Sequence, residues 1–362
     1  MNLQLKKSGH GPIGLDLGAH GIRLVQLQRR DAHWQVTASA AGIVPDDTPE
    51  DGAARSEALD PVIRELIGSA PFVGRKVVSC LPATLTLYKN LRLPRMPPDE
   101  LRSAVEWEAS DRMDLDAQTY RIQYFDAGEV RQGEEMREEI ILVAAAVHEI
   151  DEHVELLKRL KLEPQAIDAV PGALARLIER QDGGGDDAPI RVVLDIGYSS
   201  SKVMICRGGR VLFFKLIDIG GRKLDETVAG RLSVSAEEAS NVRRKSNGDD
   251  GGLNQQINEQ ASAEAYGPLV SELAREVGLC LRYYSVTFRG ERPHDLIVVG
   301  GESSLPQLQE MLVAGTGTQV SGLKPGFVEG IDGLDGTVGS WAVALGLAMR
   351  QPSTRAARKE AA

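Results

Sequence analysis

Asp16 and Asp195 each end an apolar run, and each is followed two residues later by a glycine. The first stretch reads Ile13-Gly14-Leu15-Asp16-Leu17-Gly18-Ala19-His20-Gly21-Ile22-Arg23-Leu24-Val25. The second reads Val193-Leu194-Asp195-Ile196-Gly197-Tyr198-Ser199-Ser200-Ser201-Lys202-Val203-Met204. Each copy is an apolar strand, an Asp, a small or polar turn and a second apolar strand, with Arg23 and Lys202 in matching places. Glycine allows close backbone approach, so the turn N–H groups and the hydroxyls of Ser199, Ser200 and Ser201 can close on an anion. Magnesium uses one or two carboxylates, several waters and substrate phosphates. Two such hairpins face to face would therefore surround a polyphosphate, with Asp16 and Asp195 holding a hydrated Mg²⁺. A single Asp-x-Gly also closes an ordinary hairpin. Its repetition at about half the chain length argues for a duplicated domain with a cleft between the halves.

A third segment adds to this set. Asp295 to Val299 is an apolar strand, followed by Gly300-Gly301-Glu302-Ser303-Ser304-Leu305-Pro306. Pro306 opens a helix over residues 305–311, near the first turn where its missing N–H costs least. A strand–Gly-Gly–helix joint exposes backbone to a flat ligand such as a nucleobase, although taken alone it is a generic turn.

The elements that must carry these residues follow from pattern and punctuation. Strand-like runs cover residues 14–28 (a hairpin), 33–40, 76–81, 84–93, 120–127 and 139–147. Residues 45–55 are rich in Pro, Asp and Gly and read as a loop. A helix opened by Pro61 spans 60–68, and further helices span 99–113 and 149–160. Residues 74–165 contain enough strands and helices for a small inserted α+β subdomain. Trp107 on the helix over 99–113 reads as a core residue, with an exposed partner anchor as the alternative. A Gly-rich connector at 182–187 precedes the second hairpin, and helices cover 222–232, 236–245 and 255–288, the last broken or kinked at Gly267-Pro268. A closing helix spans 340–350, and residues 351–362 read as a disordered tail. The expected domains are 1–73 as the first half, 74–165 as the insert, 166–188 as a connecting helix and linker, and 189–350 as the second half.

Composition narrows the function. The 362 residues carry a net charge of −10, which argues against a nucleic-acid protein. Three cysteines, Cys80, Cys206 and Cys280, lie in apolar surroundings without paired spacing, as in a reducing compartment. His148 and His153 suit no helical metal face, and no site built from protein ligands alone is expected. The first residues lack the apolar run of a signal peptide, and no segment reaches the length of a membrane span. The expectation is a cytoplasmic protein that meets membranes only through partners.

The three motifs occur in the order of the actin-like ATPase superfamily, where they resemble the first phosphate, second phosphate and adenosine motifs. Within that superfamily, in its FtsA-like branch, residues 13–349 resemble the type IV pilus assembly protein PilM family. Leu91-Arg92-Leu93-Pro94-Arg95-Met96-Pro97-Pro98-Asp99-Glu100-Leu101, then Ala104-Val105-Glu106-Trp107-Glu108-Ala109, are the more specific matches. Residues 141–147, Ile167-Asp168 through Leu174, Gly220-Gly221-Arg222-Lys223-Leu224-Asp225 and Ala236-Glu237-Glu238-Ala239 continue the resemblance. It implies an α/β duplicated actin-like, ribonuclease H-like fold that binds ATP and Mg²⁺ between its halves. The implied nucleotide site comprises Asp16, Gly18, Ala19, His20, Gly21 and Arg23; Asp195, Gly197, Tyr198, Ser199, Ser200 and Ser201; Gly220, Gly221, Lys223 and Arg243; and Gly300, Gly301 and Ser303. Asp16 and Asp195 hold the metal through water. Asp168 is placed either near an attacking water or as the cap of the helix over 169–180. Gly220-Gly221 either admits backbone near the nucleotide or simply turns a strand into a helix.

Arg23 stands where the family usually has Lys. Ser240 and Arg243 replace a carboxylate and a Lys of the family's ribose-side helix, which puts hydrolysis in doubt. The implied role is a cytoplasmic adaptor of the pilus inner-membrane platform, peripheral to the membrane through its partners. Those partners are the cytoplasmic N-terminal peptide of a PilN-like membrane protein, the pilus motor ATPases and a second copy by self-association, with no nucleic acid. Two other readings stand: a nucleotide-independent scaffold like the cytoplasmic part of type II secretion GspL, and a small-molecule kinase of the same superfamily with Asp168 as base.

Overall fold

The computed structural model describes residues 9–31, 33–245, 253–289, 293, 295–305 and 307–351. In chain order the first part contains β1 (His10–Leu17), β2 (Gly21–Arg30), β3 (His33–Ile43), α1 (Gly52–Ser69), β4 (Lys76–Cys80), β5 (Leu87–Pro94) and α2 (Pro98–Met113). There follow β6 (Tyr120–Gln132), β7 (Glu135–Ala146), α3 (Val147–Arg159), β8 (Glu163–Asp168) and α4 (Val170–Asp182). The second part contains β9 (Ile190–Ile196), β10 (Ser201–Arg207), β11 (Arg210–Ile217), α5 (Gly221–Leu232), α6 (Ala236–Lys245) and α7 (Leu253–Phe288). It ends with β12 (Asp295–Val299), α8 (Leu308–Thr316), β13 (Gln319–Gly322), β14 (Val328–Glu329) and α9 (Ala342–Ala348).

Sheet topology exposes the duplication directly. One sheet has the order β14-β3-β2-β1-β4-β8, the other β11-β10-β9-β12-β13. In both, three antiparallel meander strands are followed by two strands added in parallel to the first of the three. This is the duplicated actin-like fold. β1 and β9 are central because their apolar runs can be covered on both faces, as parallel-paired strands require. Between the halves lies a core of α4, the fully buried α9 and residues from both sheets, including Val193, Met204, Ile297 and Trp341. Burying each such large side chain contributes about 1.5–3 kcal/mol, which is what holds the two halves together.

Several expected boundaries move. β4 pairs in parallel with β1, and β8 with β4, so both belong to the first large sheet and not to the insert read over 74–165. What stands apart is the three-stranded sheet β5-β7-β6 with α2, which has its own small core around Leu101, Val105, Ile140 and Leu142. Long-range parallel pairing leaves no local mark in sequence, and this is why the boundary was misplaced. α1 begins at Gly52 and carries Pro61 in its interior, in place of the loop over 45–55 and the helix opened by Pro61. Burial of Arg55, Ser56, Leu59 and Ile63 along one face offsets the proline's lost hydrogen bond. α7 likewise runs through Pro268 without a break. Trp107 is exposed (59 %), contrary to its reading as core. α8 starts at Leu308, and Pro306 lies outside the described residues, as does the tail beyond Gln351.

Candidate functional site

Each hairpin fixes one carboxylate against one cation. In the first, Asp16 lies opposite Arg23 in the β1–β2 ladder. In the second, Asp195 lies opposite Lys202 in the β9–β10 ladder, with Lys202 Nζ 3.0 Å from the carboxylate. The turns close alike: Gly18 N–H donates to the Gly21 carbonyl at 2.9 Å, and Gly197 N–H to the Ser200 carbonyl at 3.1 Å. Opposite-charge pairing across an antiparallel ladder stabilises each hairpin modestly.

The two turns meet in one open cleft. Its walls are Asp16, Gly18, Ala19, His20, Gly21 and Arg23 from the first half, and Asp195, Gly197, Tyr198, Ser199, Lys202, Gly300, Gly301 and Glu302 from the second. Burial raises the Asp16 carboxyl to about 6; Arg23 opposes the shift and the nearby Asp195 charge adds to it. The Asp195 charge thus disfavours the Asp16 charge, a repulsion that a divalent cation between them would relieve. Gly300 is required on packing grounds: a Cβ there would fall 2.5 Å from an Asp195 carboxylate oxygen, and its φ is +95°. At one edge of the cleft His20 stacks on Tyr198 with ring centroids 4.7 Å apart, and Arg222 lies 5.8 Å over the Tyr198 ring. Arg222 also pairs with Glu50 at 2.7 Å, so this edge carries both an aromatic and an ionic link between the halves.

Other expected site residues sit behind the wall. Gly220 and Gly221 do not line the cleft. They let the start of α5 press on the second turn, where Gly221 N–H donates to the Gly197 carbonyl at 3.0 Å and Arg222 N–H to the Tyr198 carbonyl at 2.9 Å. A Cβ on Gly220 would lie 2.5 Å from the Tyr198 carbonyl oxygen. Ser201 is fully buried, with its hydroxyl donating to the Ile219 carbonyl at 2.6 Å. Among the described residues Ser200 Oγ has no hydrogen-bond partner, and Ser200 is not on the cleft wall. Ser303 Oγ donates to the Gly300 carbonyl at 2.8 Å and braces that turn. Arg243, 1 % exposed, is bound to Asp225 at 2.6 Å and 2.8 Å and to Glu302. Burial works against its charge, but the two carboxylates outweigh it and hold the guanidinium above its usual pKa. Lys223 reaches its own Asp218 at 2.7 Å and lies off the cleft wall.

Asp168 ends β8, and its carboxylate accepts the Ala169 N–H at 2.8 Å where the chain enters α4. Its carboxylate is clamped by Arg176 and Arg350, each at 2.7 Å, tying α4 to the end of α9. It is off the cleft wall, and α4 has no side-chain cap. Its oxygens are engaged by these two arginines and by the Ala169 N–H, away from the cleft wall.

Sequence reasoning missed several wall residues. Glu302 was hidden as a polar residue in a generic turn. Pro82-Ala83 and Gly339-Ser340 follow β4 and precede α9 without any local motif. Arg55 was assigned to a loop, yet it is buried and donates to the Gly18 carbonyl at 3.0 Å and the Pro49 carbonyl at 3.0 Å. Among the described residues there is no cluster of three or more metal-ligating side chains, so any divalent cation here would depend on waters and a ligand's phosphates. The cleft fits that mode: two facing carboxylates, two cations and glycine walls that leave backbone exposed. The three cysteines are buried and free. Among the described residues, no helix is long and apolar enough to cross a membrane.

A profile of the family described as type IV pilus assembly protein PilM matches residues 14–352. Among solved structures, the chain is 24 % identical to a protein in a PilM–PilN type IV pilus biogenesis complex, covering 94 % of this chain and 98 % of that one, with a TM-score of 0.75. It is 15 % identical to the ethanolamine utilization protein EutJ from Carboxydothermus hydrogenoformans, covering 94 % and 89 % with a TM-score of 0.57. At these identities the structural likenesses establish a shared fold.

Proposed function

Because the chain belongs to the type IV pilus assembly protein PilM family, we propose that it is a nucleotide-binding adaptor of a pilus assembly platform, taking Mg-ATP in the cleft between its halves. The observation that carries this reading is the convergence of two equivalent hairpin turns, each with its Asp and cation, on one glycine-walled cleft. Asp16 and Asp195 would hold the metal's water shell; the turns at 18–21 and 197–199 would hold phosphate oxygens; Arg23 and Lys202 would offset their charge. Bound Mg²⁺ supplies charge neutralisation between the phosphates and the two carboxylates. The Gly300-Gly301 backbone would border the rest of the nucleotide.

With Asp168 clamped and no other carboxylate singled out as a base, the geometry favours binding over turnover. A ligand that touches both turns favours whichever angle between the halves suits it, and that angle sets the surfaces offered to partners.

On the partner side, the similarity to the protein of the PilM–PilN complex supports docking of the cytoplasmic N-terminal peptide of a PilN-like membrane protein beside the β5-β7-β6 module. The module packs on the edge strand β11 of the second half, with Asn90 Nδ2 donating to the Phe214 carbonyl at 2.9 Å, so it can sense movement of that half. Contacts with motor ATPases and self-association extend the same reading, which places the protein at the membrane through its partners.

Calorimetry with Mg-ATP and with such a peptide, each alone and each in the presence of the other, tests the proposal. The expected result is binding of both, with each ligand changing the other's affinity by the same factor. A peptide affinity unaffected by saturating Mg-ATP would reduce the protein to a scaffold with an uncoupled cleft.

A further inference from the structure

Arg55 stands behind the cleft and not on its wall. It lies in the first turn of α1, is 8 % exposed, and donates to two main-chain carbonyls, those of Gly18 and Pro49, each at 3.0 Å. The Gly18–Ala19 peptide follows a glycine, the most permissive of backbones, so one orientation persists only if something outside the turn holds it. A guanidinium on the Gly18 carbonyl does this. In a trans peptide the carbonyl of one residue and the N–H of the next point in opposite directions. Ala19 lines the cleft, and no residue of α1 does. Holding the Gly18 carbonyl toward α1 therefore directs the Ala19 N–H toward the cleft.

The second half repeats this restraint with different atoms. Gly18 and Gly197 occupy equivalent places, each closing its own turn through its N–H. The Gly197 carbonyl is likewise held from the helix that follows the third meander strand, in this case by the Gly221 N–H at the start of α5, at 3.0 Å. α5 comes near enough for a backbone donor because Gly220 and Gly221 leave no Cβ in the way. α1 starts without a glycine pair and reaches the first turn with a long side chain. Two halves with unrelated local sequence thus restrain the same carbonyl from the same element of the repeat.

We propose that Arg55 is the positioning residue of the first phosphate turn: by holding the Gly18 carbonyl it presents the Ala19 N–H to a phosphate oxygen, without touching the ligand itself. This rests on the nucleotide reading of the cleft given above. A cation on the carbonyl also polarises the peptide and strengthens its N–H as a donor.

The test follows the Ala19 amide by NMR in the full chain. Gly-Ala occurs three times, at 18–19, 52–53 and 172–173, so ¹³C in glycine carbonyls with ¹⁵N in alanine reduces the spectrum to three signals, assigned by the one that Ala19→Ser removes. In the native chain, Mg-triphosphate is expected to move the Ala19 amide proton downfield. Arg55→Met keeps the aliphatic stem without a donor; it is expected to lose that shift and to bind Mg-ATP and Mg-triphosphate about tenfold more weakly. Arg55→Lys retains one donor for the Gly18 carbonyl and is expected to recover most of both. An Ala19 amide that stays in place while the native chain binds Mg-ATP and Mg-triphosphate overturns the inference and leaves the nucleotide reading intact, whether or not the variants fold. Native affinity in Arg55→Met does the same. So does recovery of affinity in Arg55→Lys without the shift, because Arg55 would then act through charge alone. Failure of the native chain to bind either Mg-ATP or Mg-triphosphate overturns the nucleotide reading and this inference with it.

Discussion

Acid should destabilise the first half through His153, a residue that lies off the cleft wall. His153 in α3 is 6 % exposed, and its Nε2 lies 2.7 Å from the hydroxyl of Ser79 in β4. Burial, with a further contribution from the Arg55 charge, lowers its pKa from 6.5 to about 4. The same Arg55 holds the Gly18 carbonyl of the first turn. A group whose folded-state pKa is depressed contributes stability that is complete above its unfolded value and is lost as pH falls toward the folded one. Here the window runs from about 6.5 down to about 4. Between pH 7.5 and pH 5 the expected loss assigned to this residue is about 2 kcal/mol. His153→Gln keeps a hydrogen-bonding side chain for Ser79 but cannot take the proton. Urea unfolding of both proteins at several pH values isolates the effect, because other titrating groups cancel in the difference. The stability of the native protein relative to His153→Gln should fall by about 2 kcal/mol over that range. A difference that stays constant within about 0.5 kcal/mol would refute the argument that His153 is buried neutral against Arg55.

Three further outcomes follow from the same geometry. Gly220→Ala forces a methyl into the second turn, so thermal melting should show a loss of about 1–3 kcal/mol, accompanied by weaker Mg-ATP binding because the turn must shift. Arg243→Ala leaves Asp225 and Glu302 facing each other in the interior and should cost about 3–5 kcal/mol by denaturant unfolding; a loss below about 1 kcal/mol would mean that the network is dispensable. Cys80, Cys206 and Cys280 are buried, with Cys206 pushed up to about 12 and Cys280 to about 11 by burial, so a thiol reagent should label none of them in the native protein at pH 8 and all three after unfolding.

The duplicated hairpins were legible because their signal is local. An Asp at a strand end, a glycine two residues on and a cation across the ladder all lie within one short stretch, and this pattern occurs twice. The helices over 99–113 and 236–245 were equally plain, since proline or acidic residues mark their starts. Legibility failed where distant residues decide. The family resemblance puts Arg243 at the nucleotide, and only the approach of Glu302 from the turn after β12 and Asp225 from α5 makes it the centre of a buried cluster. Arg55 is similar: the Pro- and Asp-rich stretch before it suggests a loop, but the Gly18 carbonyl gives its guanidinium a buried partner and the helix an early start. Asp168 was a candidate, as a base or a cap, only through the resemblance around residues 167–174, and the two arginines bound to it come from α4 and from the stretch after α9. Trp107 looked like core because lone tryptophans usually are; the small module has too little interior to take it in.

The central claim is that the two hairpin carboxylates form one Mg-ATP site. Its most direct test is calorimetric titration of Mg-ATP into the native chain and into Asp195→Ala, with phosphate release followed in the same samples. Binding by the native chain is expected, with at least a tenfold loss in the variant and little turnover in either. Equal affinity in both proteins, or no binding by the native chain, would contradict it.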